Sequence, residues 1–320
     1  MPVPIGDVLG ILADNVEQRH GVLPLSGRQS SGWARGLGIP VGGKTILYTG
    51  QMYQLVPAIS SMSAQLARFE DTPITHFFGV GRTVNKVVNL SAFMAHANPQ
   101  EQQTSATILR HIALLLQTAG VEFGYLYERE LYSGALLYDE GVDGVFASQA
   151  RKVYRLLKDA GAQQIITVDP HTTNMLRSVY PRVVDGYDLE VKTYLEVLAE
   201  RHLTPARPLD LDVVIHDSCL YARSEGVIDQ PRQLLRQSGV RVAEPELSGR
   251  LTQCCGGPLE SLFPAKAHAL AEKRVEQLTR CGNCIVTLCP ICMVSLQRAA
   301  APGVTVKDIS EYLMALVGDK

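Results

Sequence analysis

The sequence predicts an α/β protein of two tandem, related domains with mostly parallel sheets, preceded by an N-terminal arm. Short apolar strand patterns alternate with amphipathic helix patterns along most of the chain. Several stretches of the first half reappear in the same order in the second half. The 320 residues are also enough for two domains of ordinary size. We therefore predict an arm over residues 1–43, a first domain over 44–203 and a second domain over 204–320.

The arm is predicted from its composition. A short helical pattern covers Ile5–Val16, and a passage containing glycine, serine and proline follows it up to Gly43. This composition is typical of a loop that wraps a domain and not of a core element.

The first domain begins with a short apolar strand at Lys44–Thr49, which ends at Gly50. Amphipathic helices are predicted at Ser105–Ala119 and Val145–Ala160, each followed by a glycine. The second of these helices leads directly into Gln164–Val168, whose apolar run predicts a buried strand.

The second domain shows the same alternation. Strands are predicted at Leu211–His216 and Cys284–Leu288, and helices at Arg232–Ser238 and Ala265–Arg280. Four stretches match between the halves: 164–176 with 284–296, 131–137 with 254–260, 49–55 with 218–224, and 189–200 with 304–316. We infer an internal duplication of a Rossmann-like unit, with an insertion of about 45 residues between Leu55 and Leu126 in the first copy.

Charge and hydropathy exclude several classes of function. The formal net charge is −2 without a basic block, so nothing indicates nucleic acid or an anionic membrane surface as a partner. Met1–Glu17 lacks the pattern of a secretory signal, and no apolar run approaches the length of a transmembrane helix. We predict a soluble cytoplasmic protein that can still dock peripherally on a membrane complex.

All seven cysteines lie between Cys219 and Cys292. They form a Cys-Cys-Gly sequence at 254–256, Cys-x-x-Cys pairs at 281–284 and 289–292, and the single Cys219. Adjacent cysteines do not readily bridge each other and the number is odd, so a disulfide framework is a poor interpretation. Free cysteines as small buried hydrophobes would explain scattered residues but not this cluster. A site for zinc or an iron–sulfur cluster is the better explanation.

Five of the sulfurs are predicted to converge. The loops at the carboxyl ends of parallel strands meet at one edge of a sheet, and Cys219 and Cys289 each follow a predicted strand. Cys292 lies in the first turn of the next helix, whose N terminus stabilises thiolates. Glycines after Cys254–Cys255 let the backbone approach a bulky centre.

Cys281 and Cys284 are predicted to lie at the opposite end of the sheet, as non-ligands. The strand at 285–288 rises by about 3.3 Å per residue and so separates Cys284 from Cys289 by about 15 Å or more. That separation argues against a four-cysteine cubane site over 281–292. Five thiolates also exceed the four ligands of a structural zinc site.

The order Cys219, Cys254-Cys255-Gly256, Cys289-Pro290-x-Cys292 resembles the cysteine-rich CCG domain found in heterodisulfide reductase and in related iron–sulfur oxidoreductases. The resemblance covers most of the chain, because that family also has tandem copies of the domain. It implies one non-cubane [4Fe-4S] cluster per chain, with five ligands: Cys219, Cys254, Cys255, Cys289 and Cys292. It also implies an oxidoreductase that makes or breaks disulfides, or electron transfer between a partner iron–sulfur protein and a small disulfide or sulfur substrate.

The first copy departs from this pattern. Gln51 stands at the position of the first cysteine, Leu131 and Tyr132 replace the Cys-Cys pair, and Asp169 and Thr172 replace the Cys-x-x-Cys pair. Thiolates cannot hold a cluster there, so we expect a protein with one cluster.

Two histidines are possible catalytic residues. His216 lies shortly before Cys219 and would tune the cluster, move a proton or cap the loop. His171 is expected to converge with the polar residues of the first copy, either in a ligand pocket or among satisfied loop side chains; the other members are Gln51, Tyr132, Asp169 and Thr172.

Other motifs carry no function in this interpretation. Gly79 and Gly81 do not complete a nicotinamide-binding fingerprint, because Val84 occupies the third glycine position. The remaining histidines that we interpret as structural are His96, His111 and His268.

Two other functions stay open at this stage. The cysteine site could bind zinc in an assembly module without turnover, or the protein could be a pure electron relay for a quinone-linked enzyme. The chain has no ferredoxin-type motif of its own. We therefore expect a separate ferredoxin-like iron–sulfur protein of the same complex as electron donor or acceptor.

Overall fold

The structure, a computed structural model, describes residues 5–69 and 98–317 apart from residues 20, 24, 202, 204 and 206. Within the first helices, the side chains of residues 8, 60 and 63–69 are also outside the description. Gly79, Gly81, Val84 and His96 lie outside the described residues.

Two parallel sheets organise the described chain. The first has the order β1-β2-β3, with strands at Thr45–Tyr48, Gln164–Thr167 and Glu190–Thr193. The second has the order β5-β4-β6-β7, with β4 at Leu211–His216, β5 at Val240–Ala243, β6 at Cys284–Thr287 and β7 at Thr305–Asp308. Every described strand pair is parallel, which confirms the predicted fold class. The sheets fall within 44–203 and 204–320, whose exact boundaries stay a prediction.

Helices cover the sheets and connect the strands. They span Ile5–Arg19, Gly27–Ser31, Met52–Phe69, Pro99–Thr118, Ala135–Asp139, Asp143–Asp159, Pro170–Asn174, Tyr180–Val183, Tyr194–Ala199, Asp229–Gln237, Pro264–Thr279, Pro290–Ala299 and Ile309–Leu313. Short π-helical turns lie at Met175–Val179 and Leu220–Glu225. Within the described part of the chain, no helix combines the length and apolar character needed to cross a membrane.

The predicted elements exist, and the structure adds several that the patterns did not indicate. β4 has the predicted bounds, whereas the helix expected at Ser105 begins at Pro99, because Asn98 accepts a hydrogen bond from Gln100 N–H and caps it. β3, β5 and β7 contain four residues each and include charged ones. Such strands lack the apolar run that makes a strand visible in sequence.

The two sheets repeat one another in detail. Tyr48 pairs with Thr167 in the first sheet, and His216 pairs with Thr287 in the second, so β1 and β2 correspond to β4 and β6. The Thr167 hydroxyl donates to a β3 carbonyl at 3.3 Å, and the Thr287 hydroxyl to a β7 carbonyl at 3.2 Å. The internal duplication therefore extends to individual hydrogen bonds, although β5 has no counterpart among the described residues of the first half.

The N-terminal arm is part of the core, so the prediction of a loop that only wraps the domain was wrong. Trp33 and Ala34 are buried in an apolar cluster that includes Leu47 of β1 and Ile215 of β4. The Trp33 indole N–H donates to the Tyr125 hydroxyl at 3.3 Å. One apolar cluster thus joins the arm to both sheets.

Polar contacts between the two units position the loops beside the cysteines. The Tyr53 hydroxyl donates to Asp308 Oδ2 at 2.6 Å. Glu225 Oε1 accepts from Asn174 Nδ2 at 2.7 Å and from the Ser178 hydroxyl at 2.9 Å. The loop after β2 is therefore held against the turn that follows β4.

Gly50 provides a test of how tightly the first copy is packed. It adopts φ 57°, and a Cβ there would lie 2.2 Å from the Thr172 hydroxyl oxygen. Gly36 has φ 81° but open space around such a Cβ. We expect Gly36→Ala to lower the free energy of unfolding by about 1 kcal/mol through backbone strain. Gly50→Ala should cost about 2 kcal/mol more, because of overpacking; equal losses in urea denaturation would contradict this packing.

Candidate metal centre

Three loops at the carboxyl edge of the second sheet bring five cysteines together. Cys219 follows β4, and Cys289 follows β6 and caps the Pro290–Ala299 helix, which carries Cys292. The Cys254–Cys255 pair lies on the loop between β5 and the Pro264–Thr279 helix. All strands of a parallel sheet end at the same edge, which is why distant parts of the sequence meet here.

The sulfurs form a continuous series of contacts. Sγ of Cys219 lies 3.9 Å from Sγ of Cys254, and Sγ of Cys255 lies 3.3 Å from Sγ of Cys292. Side-chain hydrogen bonds also join Cys254 to Cys255 and Cys289 to Cys292. Cys255, Cys289 and Cys292 are buried, whereas Cys219 and Cys254 are partly exposed. The group therefore has one accessible side.

Cys281 and Cys284 lie outside this group, as the strand spacing predicts. Cys284 is the first residue of β6, at the end opposite Cys289, and both Cys281 and Cys284 are exposed. Sγ of Cys281 contacts the carbonyl oxygen of Glu244 at 3.8 Å. The assignment of the other five cysteines as ligands stays a prediction.

Backbone N–H groups point at two of the sulfurs. Gly256 N–H donates to Cys254 Sγ and Gly257 N–H donates to Cys255 Sγ, each at 3.4 Å. Gly256 adopts φ 83°, and a Cβ on Gly257 would lie 2.1 Å from the Ile291 side chain. Both glycines are therefore required for the turn that presents these donors.

Hydrogen bonding favours thiolates at two positions. Burial alone would raise the pKa of Cys289, but hydrogen bonds with Cys292 and His171 lower it to about 5. The pKa of Cys254 is also lowered, chiefly by the hydrogen bond from Cys219. Thiolate is the form of cysteine that binds metals.

A buried carboxylate fixes the loop before Cys219, which supports the loop-capping role. Asp217 accepts two hydrogen bonds from the Arg232 guanidinium, each at 2.8 Å, and one from Gly249 N–H at 2.6 Å. The Thr252 hydroxyl donates to the Asp217 carbonyl at 2.9 Å. Asp217 thereby ties the β4 loop to the loop that leads to the Cys-Cys pair.

His216 lies beside the sulfurs. A ring nitrogen of His216 and the sulfurs of Cys255 and Cys292 all lie within 4.8 Å of one another. His216 Nδ1 accepts from Arg274 Nε–H at 3.2 Å. Burial, together with the charge of Arg274, lowers the pKa of His216 to about 3. Arg274 gives no signal in the sequence, because it is one of several charged residues in a helical pattern.

The first copy supplies His171 to the same site. This buried side chain lies on the Pro170–Asn174 helix after β2, and its Nδ1 is 3.1 Å from Asp139 Oδ2. The imidazole also hydrogen-bonds Cys289. Burial opposes the charged ring, but Asp139 and Cys289 raise the pKa of His171. Asp139 was missed, because nothing in the sequence relates it to the cysteines.

Strand register and glycine conformation define which residues are equivalent in the two copies. Counting from the paired β-strands, the equivalent residues are Gln51 and Cys219, Asp169 and Cys289, and Thr172 and Cys292. Gly134 and Gly256 both have φ 83° and both precede a helical turn. By this match Tyr132 and Ser133, and not Leu131 and Tyr132, correspond to the Cys-Cys pair.

The remaining polar residues of the first copy form a packed network instead of a ligand pocket. Glu130 accepts from Thr49 N–H at 2.7 Å, from the Thr49 hydroxyl at 2.6 Å and from the Tyr125 hydroxyl at 2.9 Å. Three further hydrogen bonds complete it: Gln51 Nε2 to Glu130 O at 2.8 Å, Thr172 N–H to Asp169 Oδ1 at 2.9 Å, and Leu136 N–H to the Tyr132 hydroxyl at 2.6 Å. Only His171, among the predicted members, turns toward the cysteines.

Thiol exposure gives a direct test of the cysteine geometry. In reduced, metal-free protein, Cys281 and Cys284 should react with iodoacetamide at least about tenfold faster than Cys255 and Cys292, because access limits the reaction of buried thiols. Peptide mass spectrometry measures the rate at each cysteine, and urea-unfolded protein is the control in which all seven react. Similar rates at the exposed and buried positions in folded protein would contradict the structure.

Glu130 makes the stability of the first copy depend on pH. Burial raises its pKa from 4.5 to about 7, against the hydrogen bonds from Thr49 and Tyr125. Between these pH values the unfolded chain loses the proton while the folded chain keeps it, so stability falls with rising pH by on the order of 3 kcal/mol. Glu130→Gln removes this titration.

Urea denaturation between pH 4.5 and 8 measures the effect as the difference between wild type and Glu130→Gln. The variant should gain relative stability as the pH rises, whatever its constant offset. A difference that does not change with pH would show that Glu130 titrates normally.

Comparisons with known proteins agree with the position of the cysteine site. A family model described as a cysteine-rich domain, CCG, matches residues 213–297. The chain is 31% identical over 218 residues to "EtfAB:quinone oxidoreductase" of Syntrophomonas wolfei, which covers 62% of this chain and 30% of that protein. It is 32% identical over 222 residues to "Probable iron-sulfur-binding oxidoreductase FadF" of Bacillus subtilis, covering 65% and 31%.

A third relative is named as part of a reductase. The chain is 27% identical over 220 residues to a subunit of the dihydromethanophenazine:CoB–CoM heterodisulfide reductase of Methanosarcina barkeri, covering 64% of this chain and 54% of that protein. The chain thus spans between about a third and about half of the length of these relatives. The match over 213–297 includes all five converging cysteines, and the chain therefore belongs to the CCG cysteine-rich domain family.

Proposed function

We propose that the protein is the iron–sulfur component of a heterodisulfide reductase-like redox complex. One non-cubane [4Fe-4S] cluster would be held by the five converging cysteines: Cys219, Cys254, Cys255, Cys289 and Cys292. The observation that carries this proposal is the continuous series of sulfur contacts from three loops at one edge of the sheet.

The donor set suits an iron–sulfur cluster. The group consists of five thiols, more than the four ligands of a structural zinc site. Iron–sulfur clusters are held by thiolates and tuned by hydrogen bonds to sulfur, and the N–H groups of Gly256 and Gly257 provide such bonds. The helix that begins after Cys289 also directs its positive dipole end toward the site.

The accessible side of the site suits a small substrate. When bound, a cluster of this kind would supply or accept the electrons for cleaving or forming a sulfur–sulfur bond. Cys219 and Cys254 are the partly exposed members of the group, so a small disulfide or sulfur substrate would approach from their side. Leu251, on the loop that leads to Cys254, is 71% exposed and offers an apolar contact there.

In this proposal the first copy acts on the site from the buried side. His171 hydrogen-bonds Cys289, and Asp139 orients the other ring nitrogen. The Asp139 side chain is 23% exposed and the His171 side chain 5% exposed, so the pair leads from solvent to the buried thiol. We assign His171 as the hydrogen-bonding partner that holds Cys289 as a thiolate.

The names of the relatives support a redox role within a complex. One is named as part of a heterodisulfide reductase and another as an iron–sulfur-binding oxidoreductase. A third is named as a quinone oxidoreductase, which favours the second candidate function, a pure electron relay. A ferredoxin-like iron–sulfur partner and a cytoplasmic location, with or without peripheral membrane association, remain part of the proposal.

Cysteine substitutions test the cluster. Cys254→Ser and Cys289→Ser should abolish bound iron, acid-labile sulfide and the visible absorption of anaerobically purified protein, because each removes a thiolate favoured by its surroundings. Cys281→Ser is the matched control and should retain all three at wild-type levels. Equal losses in the three variants would overturn the ligand assignment, and colourless wild-type protein with stoichiometric zinc would overturn the redox function.

Thiol chemistry separates the two redox functions. Protein with a reduced cluster should be reoxidised by a small disulfide, with two thiols released for every two electrons lost. A cluster that reduces a quinone analogue but no disulfide would establish the electron relay instead. Cys281→Ser serves here too as the control that keeps the cluster.

A further inference from the structure

A buried arginine without an anionic hydrogen-bond partner lies behind the cysteines. Arg274 has 0% exposure, and its hydrogen-bond acceptors in the described chain are uncharged. They are His216 Nδ1 at 3.2 Å, Gln277 Oε1 at 3.0 Å, Leu247 O at 3.0 Å and Thr252 Oγ1 at 3.5 Å. A buried charge without compensation costs several kcal/mol, so negative charge is expected nearby.

The nearby negative groups belong mainly to the cysteine site. Asp217, Cys292 and Cys255 all act electrostatically on Arg274. Asp217 already forms a bidentate ion pair with Arg232. The sulfurs are therefore the charge that Arg274 faces without competition from a second arginine.

Arg274 also determines where the proton of His216 resides. A guanidinium can only donate hydrogen bonds, so Nδ1 of His216 must accept. The neutral imidazole then carries its proton on Nε2. In the described part of the chain this buried Nε2 has no hydrogen-bond partner, and His216 is 1% exposed. A buried donor left without an acceptor costs about 1–3 kcal/mol, which indicates that its acceptor belongs to the occupied site.

We propose that Arg274 and His216 form a hydrogen-bond relay in which His216 Nε2–H donates to a sulfur of the bound cluster or of its ligands Cys255 and Cys292. His216 is thus a positioning residue and not a metal ligand, because Arg274 occupies one ring lone pair and the proton the other. This inference rests on the proposed function and names a determinant of the cluster's redox potential.

The relay has a definite effect on that potential. Reduction adds negative charge to the cluster, and both the N–H donor and the guanidinium stabilise negative charge on sulfur. Loss of either group should therefore make the cluster harder to reduce. A ligand role for His216 predicts something different, namely loss of the metal itself.

Substitutions of His216 separate the two roles. His216→Asn keeps an acceptor for Arg274 but withdraws the donor from the sulfurs, and His216→Gln places an amide N–H near the former Nε2. We expect wild-type iron content in both, a midpoint potential shifted to more negative values in His216→Asn, and a smaller shift in His216→Gln. Anaerobic EPR redox titration measures the potential, and iron analysis measures the loading.

Two further variants complete the experiment. Arg274→Met should shift the potential in the same direction as His216→Asn, and Arg274→Lys, which keeps the charge, should shift it less. His268→Asn is the matched control, because His268 lies on the same helix as Arg274 with a half-exposed side chain and a Glu272 partner; its potential should not change. Circular dichroism confirms that each variant is folded.

The outcomes distinguish this inference from the proposed function. Loss of iron from folded His216→Asn, or full iron with an unchanged potential, would overturn the relay while leaving the cluster in place. Wild-type protein with zinc and no iron would overturn the proposed function. In that case zinc retained by His216→Asn would still support the proton on Nε2, and zinc lost from it would overturn that assignment.

Discussion

The parallel pairing of β4 with β6 is the constraint on which the cysteine site depends. Val214, Ile215 and His216 pair with Ile285, Val286 and Thr287, so the two strands end side by side. Cys219 and Cys289 leave the sheet at the same edge because of this register. A slip of one residue would turn every side chain of one strand to the other face and remove His216 from the sulfurs. The metal site is therefore specified first by the backbone and only then by the thiols.

The two copies fill the same edge of the sheet with different chemistry. In the second copy buried thiols are surrounded by N–H donors and a guanidinium, an arrangement that favours negative charge on sulfur. In the first copy Glu130 absorbs the donors of Thr49 and Tyr125, and Gly50 leaves no space beside Thr172. The loss of cysteines in the first copy is thus matched by a packed network, which explains why that edge holds no comparable site among the described residues.

Much of this arrangement was predictable from sequence, and the exceptions share a physical cause. β4, the strand before Cys289 and the separation of Cys281 from the other thiols follow from apolar runs and the rise of a strand. β3 and β7 escape detection because four-residue strands with charged residues lack a periodic signal. Asp139 and Arg274 act through contacts with residues 32 and 58 positions away, which local patterns do not encode. The one-residue shift at Tyr132 became visible only through the left-handed glycines.

The contacts between the copies explain why a domain without cluster ligands remains useful to its neighbour. Glu225 ends the turn that starts after Cys219, and its side chain is 1% exposed because Asn174 and Ser178 of the first copy donate to it. The same first-copy segment carries His171 to Cys289. Two of the three cysteine loops are therefore held in place by residues from outside the cysteine-rich domain. Separating the domain from the first copy would expose a buried carboxylate and release Cys219 and Cys289 together, so the functional unit is the pair of copies and not the cysteine-rich domain alone.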